Sequence, residues 1–507
     1  MANMMQDVSV TAGQASPDFG SRVRAAVFWR SGTQIVAQII NWSVTLAVVR
    51  ILDIGDYGLF AMTSVLLVFF NFLNGYGLVS ALIQSEKVEP LRIRQAFGML
   101  LLINVSLALV QVAVAAPLAA AYYGEPIIAD MLRWQALIYL STPFLILPEA
   151  LMTRELNFKR PAIINLVTAI VGASVSLVMA LQGYGVWTLV AAPIAMFWCR
   201  ALLLTFTTRF FVWPSFDFRG TGDMFGFGLV LLGAQAFFII QSQSDLFIAG
   251  SHFTKEELGL YAQALFVTQL FAVKFVPPLN EVAFPAYARL QNDRGALTYG
   301  FLKAVRLIML IAFPLYLGLA ISAGPFVETI LGAKWLPAAP MVALLALAMP
   351  FFTLQILFAP ALNALGLPRL SLYNSMAGAA IMVAVYLVAV QAGPVALAAG
   401  WMVSVPLLLV FTIWQAKAHI GFTLGQLARA VTPGFGAAAV MALATLAADH
   451  AIMAWIWHDI PAAIHLAGLV AAGGLAYVAL LFFGARQTFD EVINLLLRRK
   501  VVPQTDA

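Results

Sequence analysis

Apolar residues in this chain run in long unbroken blocks, not in the three-to-four-residue rhythm of a helix with one wet face. A helix crosses the hydrocarbon core of a bilayer with about 20 apolar residues. Windows of that length fall at 25–49, 57–83, 95–121, 130–152, 161–182, 184–206, 224–250, 258–286, 300–323, 338–364, 370–392, 394–416, 430–448 and 464–484. The pattern predicts an all-α polytopic membrane protein with about fourteen transmembrane helices. Gly183-Tyr184-Gly185 separates the fifth and sixth windows, and Gly393-Pro394 the eleventh and twelfth. Such short glycine and proline breaks predict tight hairpins between antiparallel neighbours.

Positive charge tests this count. Cytoplasmic loops collect Lys and Arg. With the N-terminus inside, Arg50, Arg133, Lys255 and Lys334 fall on the outer side and Lys274 falls within a span. All the other Lys and Arg then lie at inner loops or inner span ends, including Arg22, Arg94, Arg160, Arg200, Arg289, Arg369, Arg429 and Arg498. One helix too many or too few would scramble that alternation, so the reading is an even span number with both termini cytoplasmic.

The spans repeat. Ser31-Gly32-Thr33-Gln34 in the first matches Leu232-Gly233-Ala234-Gln235 in the seventh. Asp56-Tyr57-Gly58-Leu59-Phe60-Ala61 in the second matches Glu257-Leu258-Gly259-Leu260-Tyr261-Ala262 in the eighth, at the same offset of 201 residues. Chance similarity in apolar sequence competes with duplication, but a shared offset favours a duplicated six-helix unit. An even number of spans separates the copies, so they have the same orientation, as in parallel-repeat transporters. The expected layout is a cytoplasmic tail (1–24), a first lobe of six spans (25–206), a cytoplasmic linker (207–223) and a second lobe of six (224–416). Two extra helices (417–484) and a cytoplasmic tail (485–507) follow. Two such lobes imply a cleft that opens alternately to each side as one rocks against the other.

Composition narrows the function. Hydrophobic residues make up 62% of the chain and charged residues 10%, against about 25% charged in soluble domains. No Lys/Arg run is dense enough for nucleic acid. Cys199 is the only cysteine, which excludes an intramolecular disulfide or a cysteine-cluster metal site. The histidines show no metal-ligand spacing, and no GxxxxGK[ST] pattern supports direct use of ATP. No cofactor is expected. The first apolar window is too long for a signal-peptide core and reads as a retained span; lipidation signals are absent. No loop is long enough to hold a catalytic domain.

Several stretches resemble the Wzx-type polysaccharide flippases of the multidrug/oligosaccharidyl-lipid/polysaccharide superfamily. They are Arg50-Ile51-Leu52 with Asp56 to Met62; Gly77-Leu78 with Ala81 to Gln84; Arg154 to Arg160; Gly185 to Val190; Leu258 to Ala262; and Phe284-Pro285-Ala286 with Arg289-Leu290-Gln291. In order they cover roughly residues 20–420, closest to the lipopolysaccharide and exopolysaccharide biosynthesis subgroup. The resemblance implies a bacterial inner-membrane transporter, not an enzyme. It would carry undecaprenyl-pyrophosphate-linked oligosaccharide repeat units outward through a cation-lined cavity between two six-helix lobes. It would work with membrane lipids and with polysaccharide polymerase and export machinery, and its energy would come from an ion gradient of H⁺ or Na⁺ or from consumption of the substrate outside.

An anionic sugar-pyrophosphate cannot cross hydrocarbon unaided, so ionisable groups within spans are the places to look. Lys274, mid-way along the eighth span, is too deep to snorkel easily; it attracts pyrophosphate or forms a structural ion pair. Glu281 lies two turns further, beyond Pro277 and Pro278, which should kink the helix; it pairs with Lys274 or marks the membrane edge. Arg30 joins Lys274 as the first lobe's anion ligand or snorkels inward, and related flippases place cations in their first and eighth helices. Asp245, within the polar run Gln241-Ser242-Gln243-Ser244-Asp245, lines the outer cavity, pairs with Arg50 at an outer gate, binds a coupling ion, or ends the helix. Glu149 binds a cation, closes an inner gate with Arg30, or sits at the interface. Gln34, Gln38 and Asn41 share one face of the first span, with Gln235 in the repeat-equivalent place of Gln34. Such amides suit sugar hydroxyls or neighbouring helices. The competing readings are a cation-coupled multidrug exporter, which would carry acidic rather than cationic cavity residues, and a membrane glycan polymerase or ligase, which would need a large periplasmic loop.

Overall fold

The computed structural model describes residues 17–75, 90–154, 159–218, 222–455 and 460–484; side chains are described for most of these, but not at 17–31 or 222–235. The described residues are helical, joined by short connections. In order they form α1 (Pro17–Ile51), α2 (Ile54–Phe72), α3 (Pro90–Val110), a π-helical turn (Gln111–Ala115) and α4 (Ala116–Tyr123). Next come α5 (Ile127–Gln135), α6 (Leu137–Ser141), α7 (Pro143–Arg154), α8 (Lys159–Leu181), α9 (Trp187–Thr208) and α10 (Gly222–Gly250). The chain continues with α11 (Lys255–Lys274), α12 (Val276–Leu290), α13 (Arg294–Ile321), α14 (Ala323–Ile330), a 3₁₀ turn (Ala333–Ala338), α15 (Ala339–Ile356) and α16 (Phe358–Ala364). It ends with α17 (Pro368–Ala389), a short 3₁₀ turn (Val390–Ala392), α18 (Pro394–Ile420), α19 (Leu424–Trp455) and α20 (Ala462–Gly484).

Among the described residues, 13 helical runs are long and apolar enough to span a membrane. The remaining expected span, 224–250, coincides with α10, a 29-residue helix. Several expected spans are composite. The third is α3 and α4 joined through the π turn; the eighth is α11 and α12; the tenth runs through α15 and α16. Each break has a local cause. Phe275, still in the right-handed helical region, separates α11 from α12 ahead of Pro277 and Pro278, whose nitrogens cannot donate to the carbonyls of Val273 and Lys274. Elsewhere the ends follow capping chemistry. At α11, Thr254 accepts a hydrogen bond from the Glu257 amide at 3.2 Å while Glu257 accepts from the Thr254 amide at 3.0 Å, a reciprocal capping box. Asp293 caps α13. Gly421, at φ 89°, ends α18 in the left-handed region where a side chain is strained.

Chain contacts divide the protein into two compact units. The first comprises Met1–Val48, Leu73–Ala113 and Arg133–Gly228. Within it, α9 packs against α8 and α7, and α3 against α6 and α7. Phe97, Leu100, Leu147 and Phe210 form one apolar cluster, and Leu145, Met152, Ile164, Ala201 and Leu204 another. Glycine permits one close approach here: a Cβ on Gly98 would collide with the Ser215 carbonyl. The buried amide of Gln111, in the π turn, accepts from the Tyr139 hydroxyl at 3.0 Å.

The second unit comprises Val49–Phe72, Val114–Leu132 and Leu229–Ala507. In it α13 packs on α19 and α15, α15 on α18, and α19 on α20. The Tyr477 hydroxyl donates to the Leu310 carbonyl at 2.6 Å, and His465 bonds Asp449 across α19 and α20 at 2.7 Å. This unit also contains the expected outer ends of the first repeat, and α2 packs along α11. The repeat-related glycines make that packing. A Cβ on Gly58 would overlap the Lys255 carbonyl, and a Cβ on Gly259 would overlap the Ile54 carbonyl while lying 3.1 Å from the Gly58 nitrogen. The two copies of the motif therefore meet backbone to backbone. Gly55 completes the seam, its Cβ position 3.2 Å from Lys255 Cγ.

In a Cys199→Ser background, the pair Gly55→Cys and Lys255→Cys is expected to form a disulfide on mild oxidation. Adding Gly58→Ala should lower the yield severalfold, because a methyl there requires backbone separation. Unchanged crosslinking, measured by gel shift after maleimide blocking, would remove the glycine seam.

Candidate functional site

Lys274 is the last residue of α11 and its side chain is exposed. It lies mid-way along the helical run Lys255–Leu290. The proline pair that ends α11 leaves the Val273 and Lys274 carbonyls without helical donors, and a cation at a helix C-terminus is favoured by the dipole. Among the described residues no ion pair holds Lys274. A bare ammonium at this depth requires water or an anion beside it. Immediately next to it, Phe271 and Phe275 stack at 5.7 Å. They line an apolar cavity of about 580 Å³ together with Pro314, Met441, Leu466 and Val470. A charged point and an oily cavity thus share the C-terminal end of α11.

Glu281 is exposed and, among the described residues, does not pair with Lys274; the break between α11 and α12 lies between them. It lines a separate cavity of about 460 Å³ with Asn280, Phe284 and Asn363. Asn280 Nδ2 donates to the Ile356 carbonyl at 3.3 Å, tying α12 to the end of α15.

Asp245 on α10 is 1% exposed. Its Oδ2 accepts from the Tyr261 hydroxyl at 2.9 Å and its Oδ1 from the Leu246 amide at 2.8 Å. The Tyr261 oxygen in turn accepts from Trp401 Nε1 at 3.0 Å. Tyr386 lies beside Trp401 and accepts from Ser404 at 3.5 Å. The carboxyl therefore accepts hydrogen bonds from α10 and α11, with α18 bonding the Tyr261 hydroxyl behind it, and among the described residues no cation pairs with it. This arrangement suits a proton or small-cation site and does not place Asp245 against Arg50.

Arg50 instead clasps a helix end. It donates to the carbonyls of Thr329 and Ile330 at the C-terminus of α14, the latter at 3.4 Å. Lys334 returns the contact, donating to the Arg50 carbonyl at 3.0 Å and to Leu52 at the end of α1. Trp335 Nε1 adds a bond to the Val49 carbonyl at 3.1 Å. Each helix end thus has its orphan carbonyls satisfied by a cation from the other segment.

Glu149 on α7 pairs with Arg200 on α9, Oε1 to Nη2 at 2.7 Å. Positive charge counting had assigned Arg200 only to the inner side. Gln34 is exposed and Gln38 and Asn41 half-buried; the side chains of Arg30 and Gln235 lie outside the described residues, as do residues 77–84 and 155–158 of the family-like stretches. Sequence reasoning missed Lys334, Trp335, Tyr261 as a hydroxyl donor, Trp401 and Arg200. Of these only Tyr261 carried a signal, through its place in the repeated motif.

Residues 47–340 match the family described as "Polysaccharide biosynthesis protein". The teichuronic acid biosynthesis protein TuaB of Bacillus subtilis is 24% identical over 439 residues, covering 84% of this chain and 88% of TuaB. The succinoglycan biosynthesis transport protein ExoT of Rhizobium meliloti is 24% identical, covering 62% of this chain and 64% of ExoT. Lipopolysaccharide biosynthesis protein WzxC of Escherichia coli is also 24% identical, covering 58% of this chain and 60% of WzxC. Among solved structures, the lipid II flippase MurJ in an inward closed conformation aligns with TM-score 0.70 at 12% identity over 93% of this chain and 99% of its own. An inward-facing multidrug resistance MATE transporter of the MOP superfamily aligns with TM-score 0.60 at 10% identity, covering 78% of this chain and 98% of its own. The fold is the one these transporters share.

Tyr261→Phe removes the donor to a buried carboxyl and the acceptor of Trp401 Nε1. It is expected to cost about 1–3 kcal/mol of stability, with Asp245→Asn in the same background recovering part of it by removing the carboxylate. Melting of the detergent-solubilised variants reads both; equal melting of Tyr261→Phe and wild type contradicts the network.

Proposed function

The chain belongs to the polysaccharide biosynthesis protein family, and from that premise we propose that it is a lipid-linked oligosaccharide flippase. It moves undecaprenyl-pyrophosphate-linked repeat units from the cytoplasmic to the periplasmic face of a bacterial inner membrane, with both termini cytoplasmic. The product feeds a polysaccharide polymerase and its export machinery.

One observation carries the reading: the exposed ammonium of Lys274, without an ion-pair partner among the described residues, stands in the chain between Phe271 and Phe275, which line an apolar cavity. Such a substrate has an anionic head joined directly to an apolar tail. A cation attracts the pyrophosphate, whose own desolvation would otherwise forbid entry, while the tail stays in an oily surrounding. Gln34, Gln38 and Asn41 on one helix face offer amides to sugar hydroxyls, and Arg30 and Gln235 belong to the same set by their positions in the repeat. Glu281 and Asn280 receive the sugar near the inner end.

Transport requires closure on one side while the other is open. The Gly58–Gly259 seam and the Arg50–Lys334 clasp are the outer closure in this reading, and both must part for release. Asp245 is the coupling group, taking up a proton or Na⁺ in exchange for its hydrogen bonds to Tyr261 and Leu246. A drug exporter of the same superfamily would have a carboxylate in place of the exposed mid-span lysine.

Lys274→Ala is expected to abolish polysaccharide export with the protein still inserted and folded, and Lys274→Arg to retain part of it. Cells lacking the protein should accumulate undecaprenyl-linked single repeat units on the cytoplasmic face. Accumulation on the periplasmic face would instead indicate a polymerase, and full export by Lys274→Ala would remove the lysine from the path.

A further inference from the structure

Arg200 stands eight residues before the inner end of α9, about 12 Å into the span at 1.5 Å per residue. Glu149 faces it from α7. Leu145 and Met152, one turn either side of Glu149, are buried in the apolar cluster with Ala201 and Leu204 of α9. The carboxylate therefore interrupts the stripe with which α7 packs. Both charged side chains are nevertheless about one third exposed, 33% and 34%. Glu149 stands three residues from the end of the candidate span Ile127–Met152, where an ion pair meets the membrane–water boundary and not the acyl chains, so the exposed part opens to water.

The pairing is also incomplete. A guanidinium has five N–H donors in a fixed plane. Among the described residues one of them, on Nη2, meets Glu149, while the buried Nε has no acceptor. A buried donor without a partner costs stability, and a bound water or ion is one way of offsetting that cost. The missing acceptors are those of a planar or tetrahedral oxyanion that takes two parallel hydrogen bonds.

Resting on the flippase reading, we propose that Arg200 is a pyrophosphate-binding residue of the first repeat and that Glu149 is its internal competitor. Glu149 holds the fork in place in the empty protein and yields it to a phosphate oxygen of the arriving lipid head. The carboxylate then repels the bound anion, which keeps the site weak enough to release its cargo. Among the described residues Lys274 in the second repeat has no such competitor, so the two cations differ in strength. Neither arrangement requires Arg200 and Lys274 to act at the same moment.

The test separates an anion site from a structural brace by the sign of its effects. Full-length protein in nanodiscs is titrated with farnesyl pyrophosphate by calorimetry, with inorganic pyrophosphate in a parallel arm. Arg200→Gln is expected to weaken binding by about tenfold, and Arg200→Lys by less, since charge remains while the fork is lost. Glu149→Gln is expected to tighten binding by about threefold, because the competitor loses its charge. A brace alone predicts that Arg200→Gln and Glu149→Gln lower the melting temperature together and leave affinity unchanged, which overturns the proposal. So does weakening by Glu149→Gln. If Arg200→Gln fails to insert, the opposed directions of Arg200→Lys and Glu149→Gln still decide. Binding that depends on Lys274 but not on Arg200 overturns this inference only. No binding of the prenyl compound by wild type overturns the flippase reading as well, and binding of inorganic pyrophosphate alone does the same.

Discussion

In hydrocarbon an unpaired polar group has nowhere to turn, and the rest of this structure follows from that constraint. It makes the described chain helical, since only a helix satisfies its backbone within one segment. It also fixes where helices are allowed to fail. The carbonyls left over at the ends of α1 and α14 are met by Lys334 and Arg50. The carboxyl of Asp245 is met by a tyrosine and a backbone amide. Lys274 has no ion-pair partner among the described residues, and Arg200 Nε is one of several buried side-chain atoms without an acceptor; in the proposed reading both belong to water or substrate.

The span positions were legible because hydrophobic length is a one-dimensional property. The break at Phe275 was legible too, because Pro277 and Pro278 act through their own covalent structure. What could not be read was which faces meet. Arg200 was assigned only to a side, and a count of charges by side is blind to depth and to partners; its partner Glu149 lies 51 residues away. Arg50 was expected to seek a carboxylate; its partners are backbone carbonyls, which every residue possesses and no pattern marks. The helix α14 and the 3₁₀ turn after it escaped because they are too short to register as a span.

The repeated motif behaved differently. Asp56 to Ala61 and Glu257 to Ala262 were noticed only as evidence of duplication. In the folded protein the two copies touch, with glycine against backbone on both sides. The likeness in sequence thus reflects a shared steric requirement. Tyr261, a further residue of the second copy, turns the other way and holds Asp245, so one short motif serves a seam and a buried carboxyl at once.

The seam has a genetic corollary. When two bulky residues touch, enlargement of one is commonly offset by shrinkage of the other. Gly58 and Gly259 are both already at the lower limit of size, so neither can make room for its partner. Intragenic suppressors of a larger residue at either position must therefore arise elsewhere, in residues that reset the tilt of α2 against α11.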